Sequence, residues 1–595
     1  MHKGTTYLLL CYIMAHIFQP PIELAGFAAR PPLPPVIYRV GVTGHRPNRL
    51  HPNTRSLVES LGSILRQIQA DVLASCTARA GERSPRLVLV SSLAEGVDRM
   101  AARCALDLGY GLQVPLPFPR EEYAADFTGP ESLAEFHDLL ARADSIFELE
   151  ASPPHRDFAY RAAGHIVLRQ CDLLLAVWDG EPSGGIGGTS ELIDVAEEAG
   201  RAVLCMEAIA PHALTFGNYT DPLDGVRELI GATLADSVGP SADVKKRYIE
   251  EKWPRRIATT SHTVLRLLGE HRWTRASAPK PDAFPELESH LLTRYFRWVD
   301  ALAVRYGEKS RSAAMRMQLL ALGAVVSAIL ILPFEEHHLW LQFFSFCEVV
   351  CIIWLLLEAV RSTRSDWHAR WIIYRSLSER LRCLDFLGPL TESIPGPLGG
   401  GGINRQGSAR EFSASFVQAV TREYGLAPAQ VDTNFLGRRA QALASVISSQ
   451  AAFQQRVAHR YESVEKALQR AGILLFVGAV VLCFLDLFRA ITPELSERMN
   501  AHGFSGVRVA TAAAIVPALG AALAGLAAQG EYKRLAKRAE AMSKTLEHLL
   551  VDLQSHAKPS LRTLQTLSAQ LAEVLTSEVQ EWQVLVASKP PTLPT

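Results

Sequence analysis

Three glycine-containing stretches near the amino end of the chain combine open backbone with hydroxyl, acidic and cationic side chains. The first, "VTGHR", supplies Gly44, His45 and Arg46. The second, "SSLAEGVDR", supplies Ser91, Ser92, Glu95, Gly96, Asp98 and Arg99. The third, "WDGEPSGGIGGTSE", supplies Asp179, Gly180, Gly187, Gly188, Thr189 and Glu191. Glycine allows close backbone approach, and N–H groups at helix starts favour anions, so these stretches predict phosphate binding.

Short apolar runs precede these stretches and alternate with helical patterns from Val36 to about Ala208. The runs lack polar alternation, as expected for strands buried on both faces. They are "VIYRVGVT", "RLVLVSS", "LQVPLP", "SIFEL", "DLLLAVW" and "RAVLCM". The helical patterns are Asn53–Arg79, Glu95–Leu108, Glu131–Arg142, Asp157–Cys171 and Ser190–Gly200. This order predicts an α/β, doubly wound, Rossmann-like parallel sheet whose strand ends bring the three stretches into one cleft.

Composition excludes some partners. The chain has 595 residues, with Lys+Arg and Asp+Glu both at 61, so strong nucleic-acid binding by bulk charge is not expected. None of the nine cysteines forms a Cys-x-x-Cys or a zinc-type Cys/His spacing, so no metal site is predicted. The apolar content of 48% is high for a chain this charged and indicates membrane segments.

Four apolar stretches follow a charged helical region. They are Leu319–Phe334, Leu339–Leu357, Gly472–Phe488 and Val507–Ala528. Each is near the roughly 20 residues that a bilayer-spanning helix needs. Lys and Arg flank them on one side, which predicts a multi-pass protein of the inner, cytoplasmic membrane with both termini cytoplasmic. The alternative is two buried helical hairpins of a soluble protein.

The spans come as two pairs that resemble a loose internal duplication. Charged helices precede and follow each pair, and "GPLTESIPGPLGGGGINRQG" lies between the pairs as a flexible linker. The trailing helices have basic faces suited to lipid headgroups or neighbouring subunits, so the bilayer and a homo-oligomer are expected as partners.

We therefore divide the chain into six parts. The divisions are 1–35, a signal-like or non-structural extension; 36–210, the α/β domain; 211–290, a charged helical connector; 291–387, the first two-span unit; 388–410, the Gly/Pro linker; and 411–595, the second two-span unit with cytoplasmic helices.

The three stretches together resemble the SLOG superfamily, which includes DNA-processing protein A and the Lonely Guy phosphoribohydrolases. "SSLAEGVDRMAARCAL" carries the resemblance, which covers about residues 36–210. It implies a nucleotide or NAD/ADP-ribose-type ligand, with no other cofactor expected. The positions that match the family's ligand cradle are Gly44, Ser91, Ser92, Gly96, Gly187, Gly188 and Thr189.

The charged candidates could serve either a ligand or the protein's own turns. Arg46 and Arg99 could supply charge to a phosphate, although Arg99 could equally be an exposed helix residue. His45 is either a turn-stabilising donor or a catalyst. Asp98 is expected to anchor the second turn, and Asp179 could cap its own turn.

The paired spans resemble SLATT-type two-helix membrane effector units, and "DWHARWIIYRSLSERLR" carries that similarity. Such units accompany SLOG sensors in bacterial nucleotide-signalling conflict systems. The resemblance implies a membrane-anchored sensor whose ligand acts on a transmembrane effector, in an antiphage or related defence system.

Two other functions remain open. A membrane-tethered nucleotide N-glycosidase would need the Pro-Gly-Gly-x-Gly-Thr-x-x-Glu pattern of the phosphoribohydrolases. Here the Pro is absent and Leu192 stands where the Glu belongs, so Glu191 is only a weak catalytic candidate or a ribose-hydroxyl acceptor. The other alternative is a DNA-processing-like module that binds single strands.

Overall fold

An eight-stranded sheet organises the amino-terminal half of the chain. The computed structural model describes residues 30–77, 84–127, 129–150, 156–182, 186–234, 240–253, 260, 263, 289–334, 337–394, 408–492 and 506–587. The strands are β1 (Ile37–Gly44), β2 (Arg86–Val90), β3 (Gly111–Leu116), β4 (Ser145–Glu148), β5 (Leu173–Trp178), β6 (Val203–Glu207), β7 (Leu214–Thr215) and β8 (Ala429–Gln430). The helices among them are α1 (Arg55–Thr77), α2 (Val97–Asp107), α3 (Arg120–Ala124), α4 (Pro130–Ala141), α5 (Arg156–Gln170), α6 (Thr189–Glu198), α7 (Pro222–Leu234) and α8 (Pro240–Ile249).

The strand order is β7-β6-β5-β1-β2-β3-β4-β8, and β6 with β7 is its antiparallel pair. β1 pairs in parallel with β2 on one side and with β5 on the other. The chain therefore reverses its direction of travel across the sheet at β1. In open α/β sheets, ligands bind at the carboxyl ends of the strands beside such a reversal. The predicted fold class is confirmed.

Both faces of the sheet are covered, which explains the unbroken apolar runs. On β5, Leu173, Leu175 and Val177 join the core formed with α1 and α2, whereas Leu174 and Ala176 pack with α5 and α6. All six predicted strands and five predicted helices are present, with ends that differ by a few residues.

The edge strand β8 is contributed by the carboxyl-terminal half of the chain. Ala429 and Gln430 pair in parallel with Phe147 and Glu148 of β4, and the Val431 N–H donates to the Glu148 carbonyl at 2.8 Å. Only two residues pair, and no apolar run marks them, so the sequence pattern did not predict this strand.

Eight helices and two short 3₁₀ turns form most of the described carboxyl-terminal region. The helices are α9 (His290–Ile331), α10 (His338–Arg364), α11 (Trp367–Leu387), α12 (Ser408–Tyr424), α13 (Thr433–Ile491), α14 (Gly506–Gly530), α15 (Tyr532–Ser555) and α16 (Leu561–Ala587). The four predicted spans lie within the segments that begin with α9, α10, α13 and α14, which are long and apolar enough to cross a membrane. Within the most apolar part of each, only 6% to 17% of the residues are buried. Buried hairpins of a soluble protein would not leave such surfaces exposed, so the chain has the character of a multi-pass membrane protein.

The two pairs of spans repeat one arrangement. α9 packs against α10 and α11, just as α13 packs against α14 and α15. Each trailing helix begins directly after an acidic residue with a left-handed backbone, Asp366 (φ +49°) before α11 and Glu531 (φ +44°) before α15. The shared packing and shared reversal agree with the predicted duplication.

The sheet and the helical region share one hydrophobic core. Phe147 and Leu149 of the sheet and Ala163 and Ile166 of α5 are buried in the same cluster as side chains of α9, α11, α12, α13 and α16. The sheet-bearing and membrane-proximal parts therefore pack against each other, and the divisions at 210 and 411 stay a prediction about the order of the parts along the chain. Residues 1–29 and 395–407, which include most of the predicted extension and part of the linker, lie outside the described residues.

The Phe435 ring should determine how firmly α13 is held to the sheet. This ring is 7% exposed and meets the Phe147 ring edge-on, with centroids 6.4 Å apart. We expect Phe435→Ala to cost about 3–5 kcal/mol of unfolding free energy and to speed proteolysis near residue 432, because the cavity removes the contact that holds the start of α13 to Phe147 of β4. The exposed neighbour substitution Asn434→Ala should change stability by less than about 0.5 kcal/mol. Equal proteolysis rates in the two variants would contradict this docking role.

Candidate nucleotide-binding site

The three glycine-containing stretches meet at the carboxyl ends of β5, β1 and β2. The Val97 N–H, at the start of α2, donates to the His45 carbonyl at 3.3 Å. The Asp179 N–H, after β5, donates to His45 Nε2 at 3.1 Å. The turn after β1 therefore touches the other two turns, as the strand order requires.

Two glycines permit the contact between the first and second turns. A Cβ on Gly96 would lie 2.5 Å from the His45 carbonyl oxygen, and Gly96 has φ +105°. A Cβ on Gly44 would lie 2.6 Å from the Val97 Cβ. Both positions exclude any side chain because another part of the protein already fills the space. Their glycines thus serve turn packing, whether or not a ligand also approaches them.

Asp179 joins the first and third turns. Its carboxylate contacts Arg49 Nη2 at 2.5 Å and His45 Nε2 at 3.0 Å, and it accepts the Glu181 N–H at 3.1 Å. Burial lowers the pKa of His45, against the opposing effect of Asp179. Burial alone would raise the pKa of Asp179, but the Glu181 N–H and the His45 and Arg49 side chains bring it below its ordinary value. A neutral His45 beside an ionised Asp179 fits the turn-stabilising reading of both residues.

The second turn is held by a buried network around Ser91. The Ser91 hydroxyl donates to Asp98 Oδ2 at 3.2 Å and accepts the Leu93 N–H at 3.1 Å. Leu93 is fully buried with φ +54°, a left-handed conformation that costs a leucine energy. Ser92 is half-buried beside this strained residue. Ser91 and Asp98 therefore anchor the turn, as expected for Asp98.

Arg99 and Glu95 fasten the second turn to α4. Arg99 is 1% exposed, and its guanidinium donates to the Leu93 carbonyl at 3.1 Å and to the Ser132 carbonyl at 2.7 Å. The guanidinium also lies over the Phe127 ring, 4.0 Å from its centroid. The Ser132 hydroxyl donates to Glu95 at 2.6 Å. Arg99 is therefore a buried residue and not an exposed residue of the helix surface. Its guanidinium already has partners in the second turn and in α4.

The third turn closes against α5. Gly187 has φ +83°, and a Cβ there would lie 2.8 Å from the Arg161 backbone nitrogen. The Gly187 N–H donates to Glu191 Oε2 at 2.6 Å, while Arg161 Nε contacts Glu191 Oε1 at 2.5 Å. Both carboxylate oxygens of Glu191 are thus engaged, one by Gly187 of its own turn and the other by Arg161 of α5, which favours a capping role over general-base chemistry.

Anion-binding capacity remains at the start of α6 and at Arg46. α6 begins after Gly188, which provides no side-chain cap, whereas the start of α2 is buried and its Val97 N–H already donates to the His45 carbonyl. Arg46 is exposed, in contrast to Arg99, and its guanidinium lies 5.5 Å from the Tyr160 ring centroid. Gly180 is exposed with φ +83°, and no atom lies within 4 Å of where its Cβ would be. Arg46, Gly180 and Gly188 mark the open edge of the three turns, which we call the rim. The Thr189 side chain, in contrast, is buried at the start of α6.

Sequence reasoning missed the aromatic and acidic residues beside Arg46. The Tyr160 hydroxyl donates to Asp126, which also accepts Arg156 Nη2 at 2.7 Å. The Arg156 guanidinium stacks over Phe118, 4.1 Å from the ring centroid. These residues come from α5 and from the segment after β3 rather than from glycine turns. The available signal was "RDFAYR" at the start of α5, one crossover before the third turn.

Neither a metal site nor a known relative identifies the chemistry. Across the described ranges, no group of three His, Cys, Asp or Glu side chains is placed to hold a metal ion. No protein-family model matches the chain, and no curated protein matches it.

The packing of the first two turns can be tested with a matched pair of glycines. Gly96 and Gly180 both have positive φ, but only Gly96 faces backbone at contact distance. Gly180→Ala should cost about 1–2 kcal/mol from its backbone conformation alone. Gly96→Ala should cost several kcal/mol more, because the turns must also separate. Thermal unfolding of both variants measures the difference, and equal losses would show that the turns are not in contact.

Asp98 should make stability depend on pH. Burial raises the pKa of Asp98 to about 7, against the opposing hydrogen bond from Ser91. Because the folded-state pKa exceeds the ordinary carboxyl value, the folded state takes up a proton more readily than the unfolded state. Stability should therefore rise as the pH falls from about 8 to about 5, and Asp98→Asn should flatten that rise. Asp138→Asn, at an exposed carboxylate on α4, is the control. An unchanged profile in Asp98→Asn would contradict the assignment.

Proposed function

We propose that this protein is a membrane-anchored sensor that binds a nucleotide or nucleotide-derived ligand at the three turns and signals to its membrane-spanning helices. The observation that carries the proposal is the meeting of the three turns at the strand-order reversal beside β1, on a sheet that shares a core with helices whose further parts are the spans. The resemblance to SLOG sensors and SLATT effectors agrees with it. An inner-membrane location, cytoplasmic termini, homo-oligomeric assembly and a role in defence belong to the same proposal.

The rim offers complementary groups for such a ligand. Phosphate oxygens would accept N–H groups at the start of α6 and pair with Arg46. The half-buried Tyr160 ring, already stacked with Arg46, offers a flat surface to a base. Gly180 leaves space for close approach to the third turn.

Helix α5 supplies one connection from the turns to the helical core. Tyr160 and Arg161, near its start, touch the first and third turns. Ala163 and Ile166, on the next turns, are buried in the core shared with the membrane-proximal helices. Arg169, near its end, pairs with Glu392 at 2.9 Å. A ligand that shifted the start of α5 would move a rigid element already packed against the effector half.

Two further connections join the sheet to the spans. β8 leads through Asp432, whose carboxylate accepts the Phe435 N–H at 2.6 Å, directly into the helix that contains the third span. Glu251, just after α8, accepts the Tyr306 hydroxyl of α9 at 2.6 Å and the Tyr374 hydroxyl of α11 at 3.2 Å. A ligand can shift the balance between two conformations of the protein only if it binds one of them more tightly than the other. In this proposal the two conformations differ at these contacts.

The alternative functions receive less support from the site. An N-glycosidase needs an available carboxylate, yet Glu191 is held by Gly187 and Arg161. A single-strand binder needs a basic groove with several stacking rings. At the rim, Arg46 and the partly buried Tyr160 ring form a single cation–ring contact, which falls short of such a groove.

Calorimetry on the full-length protein tests the proposal. AMP and ADP-ribose are titrated into wild type, Arg46→Gln and Arg55→Gln, the last carrying the same charge change at an exposed surface pair with Glu59. Arg46→Gln should weaken binding about tenfold or more, because a hydrogen bond to a charged group is lost. Arg55→Gln should have little effect, because an exposed ion pair is weak and screened.

Absence of binding to both ligands by folded wild-type protein would refute the proposal. Equal affinity of Arg46→Gln and Arg55→Gln for the nucleotide would show that the ligand does not bind at Arg46. Release of free base from AMP, abolished in Glu191→Gln, would replace the sensor reading with the N-glycosidase reading.

A further inference from the structure

Basic side chains gather around two buried aromatic rings near the point where the second span turns into α11. These side chains are Arg305, Lys309, Arg361 and Arg370. The charged groups of the first, second and fourth lie 5.8, 5.4 and 5.3 Å from the Tyr306 ring centroid. Those of Lys309 and Arg361 lie 5.5 and 5.6 Å from the Trp367 ring centroid. The two rings are 4% and 6% exposed, so a fixed aromatic base holds cations from α9, α10 and α11 together.

The acids found beside this cluster among the described residues leave most of its charge unbalanced. The Glu251 carboxylate accepts the Tyr306 hydroxyl at 2.6 Å and contacts Arg370 Nη1 at 3.3 Å. The Asp366 carboxylate, directly before α11, pairs with Arg247 of α8 at 2.8 Å. In the described part of the chain, three cations of the cluster have no carboxylate within ion-pair distance: Arg305, Lys309 and Arg361.

Lys309 occupies an electrostatically unfavourable position within the cluster. It is half-buried, and burial lowers the pKa of its ammonium group. The charges of Arg305, Arg361 and Arg370 lower that pKa further, whereas the Glu251 carboxylate raises it. Like charges repel more strongly where water is partly excluded, so an anion that entered the cluster would lower its electrostatic free energy.

The cluster extends from the inner edge of the membrane into the water beyond it. Arg361 follows Leu357, the last residue of the second apolar stretch, by four residues, or about 6 Å of helix. Lys309 precedes Leu319, the first residue of the first apolar stretch, by ten residues, or about 15 Å. The headgroup layer on each side of a bilayer is about 5–7 Å thick. The phosphate of a lipid headgroup can therefore reach Arg361, and a soluble phosphate can reach the whole cluster.

We propose that Lys309 and Arg361, beside the Trp367 ring, bind a phosphate group together with Arg305. A phosphate spreads its negative charge over several acceptor oxygens, so one phosphate can contact an ammonium group and a guanidinium group at once. Its source is either an anionic lipid headgroup or a soluble phosphate. Because α9 and α10 both contribute cations and α11 contributes the ring, the bound phosphate would fasten the turn between the second span and α11. The inference does not depend on nucleotide binding at the sheet.

Thermal unfolding of the full-length protein in non-ionic detergent, at constant ionic strength, tests the site. The probes are inorganic phosphate, short-chain phosphatidylglycerol and, as the zwitterionic comparison, short-chain phosphatidylcholine. At least one of the two anionic probes should raise the wild-type unfolding midpoint saturably, because binding to the folded state stabilises it. Lys309→Gln and Arg361→Gln should each weaken that binding about tenfold. Lys309→Arg, which keeps the charge, should retain most of the affinity.

Arg364→Gln is the matched control for Arg361→Gln. Arg364 is an exposed arginine three residues further along α10, and among the described contacts it reaches neither the Tyr306 ring nor the Trp367 ring. Its loss removes the same charge from the same end of the helix, so a response to bulk charge alone would be weakened equally in both variants. Equal weakening would contradict a site built around Trp367.

The remaining outcomes separate the phosphate sources or overturn the proposal. A rise in midpoint with phosphatidylglycerol alone supports a lipid headgroup as the occupant, and an equal rise with inorganic phosphate supports a soluble phosphate. No rise with either anionic probe would refute the site. A rise with phosphatidylcholine as large as that with phosphatidylglycerol, and none with inorganic phosphate, would show a response to acyl chains and not to charge. Undiminished binding in Arg361→Gln, whose exposed side chain is dispensable for folding, would also refute it.

Discussion

The pairing of β1 with β2 on one edge and with β5 on the other is the constraint on which the candidate site depends. Parallel strands end at the same edge, so this pairing places three turns from distant parts of the chain side by side. The His45 carbonyl and imidazole then bond to the two neighbouring turns. Gly44 and Gly96 are required because the turns leave no room for a Cβ. The site is thus a consequence of strand order.

The second organising feature is that the sheet packs directly against the carboxyl-terminal helical region. β8 extends the sheet with residues that belong to the helical half, and Arg39 of β1 donates to Gln113 and lies close to the Arg422 carbonyl of α12. Asp172 accepts Arg422 Nε at 2.8 Å. A fragment ending at residue 210 would expose these partners and part of the shared core, so the intact chain is the unit that keeps the sheet packed on the helical region.

Several glycines and charged residues that match ligand-binding positions stabilise the turns of this protein. Arg99, Glu95 and Asp98 are committed to the second turn and α4, and Glu191 caps its own turn. Arg46 is the charged candidate that remains exposed, and its guanidinium lies beside the Tyr160 ring. Residue type and spacing located the turns correctly. Residue type and spacing could not separate the side chains that build a turn from the side chains that a ligand can reach. That distinction depends on burial and on hydrogen-bond partners, and both are set by neighbouring elements.

The sequence alone determined the alternation of buried strands and helices, the four apolar spans and their pairing, because these follow from local hydrophobic periodicity and length. It also placed the three turns at strand ends. Only the tertiary structure decided that β8 completes the sheet, that α5 touches both the turns and the helical core, and that basic side chains of three helices gather around the Tyr306 and Trp367 rings. Those features join residues far apart in the chain, and no local pattern encodes which surfaces of the separate elements will meet.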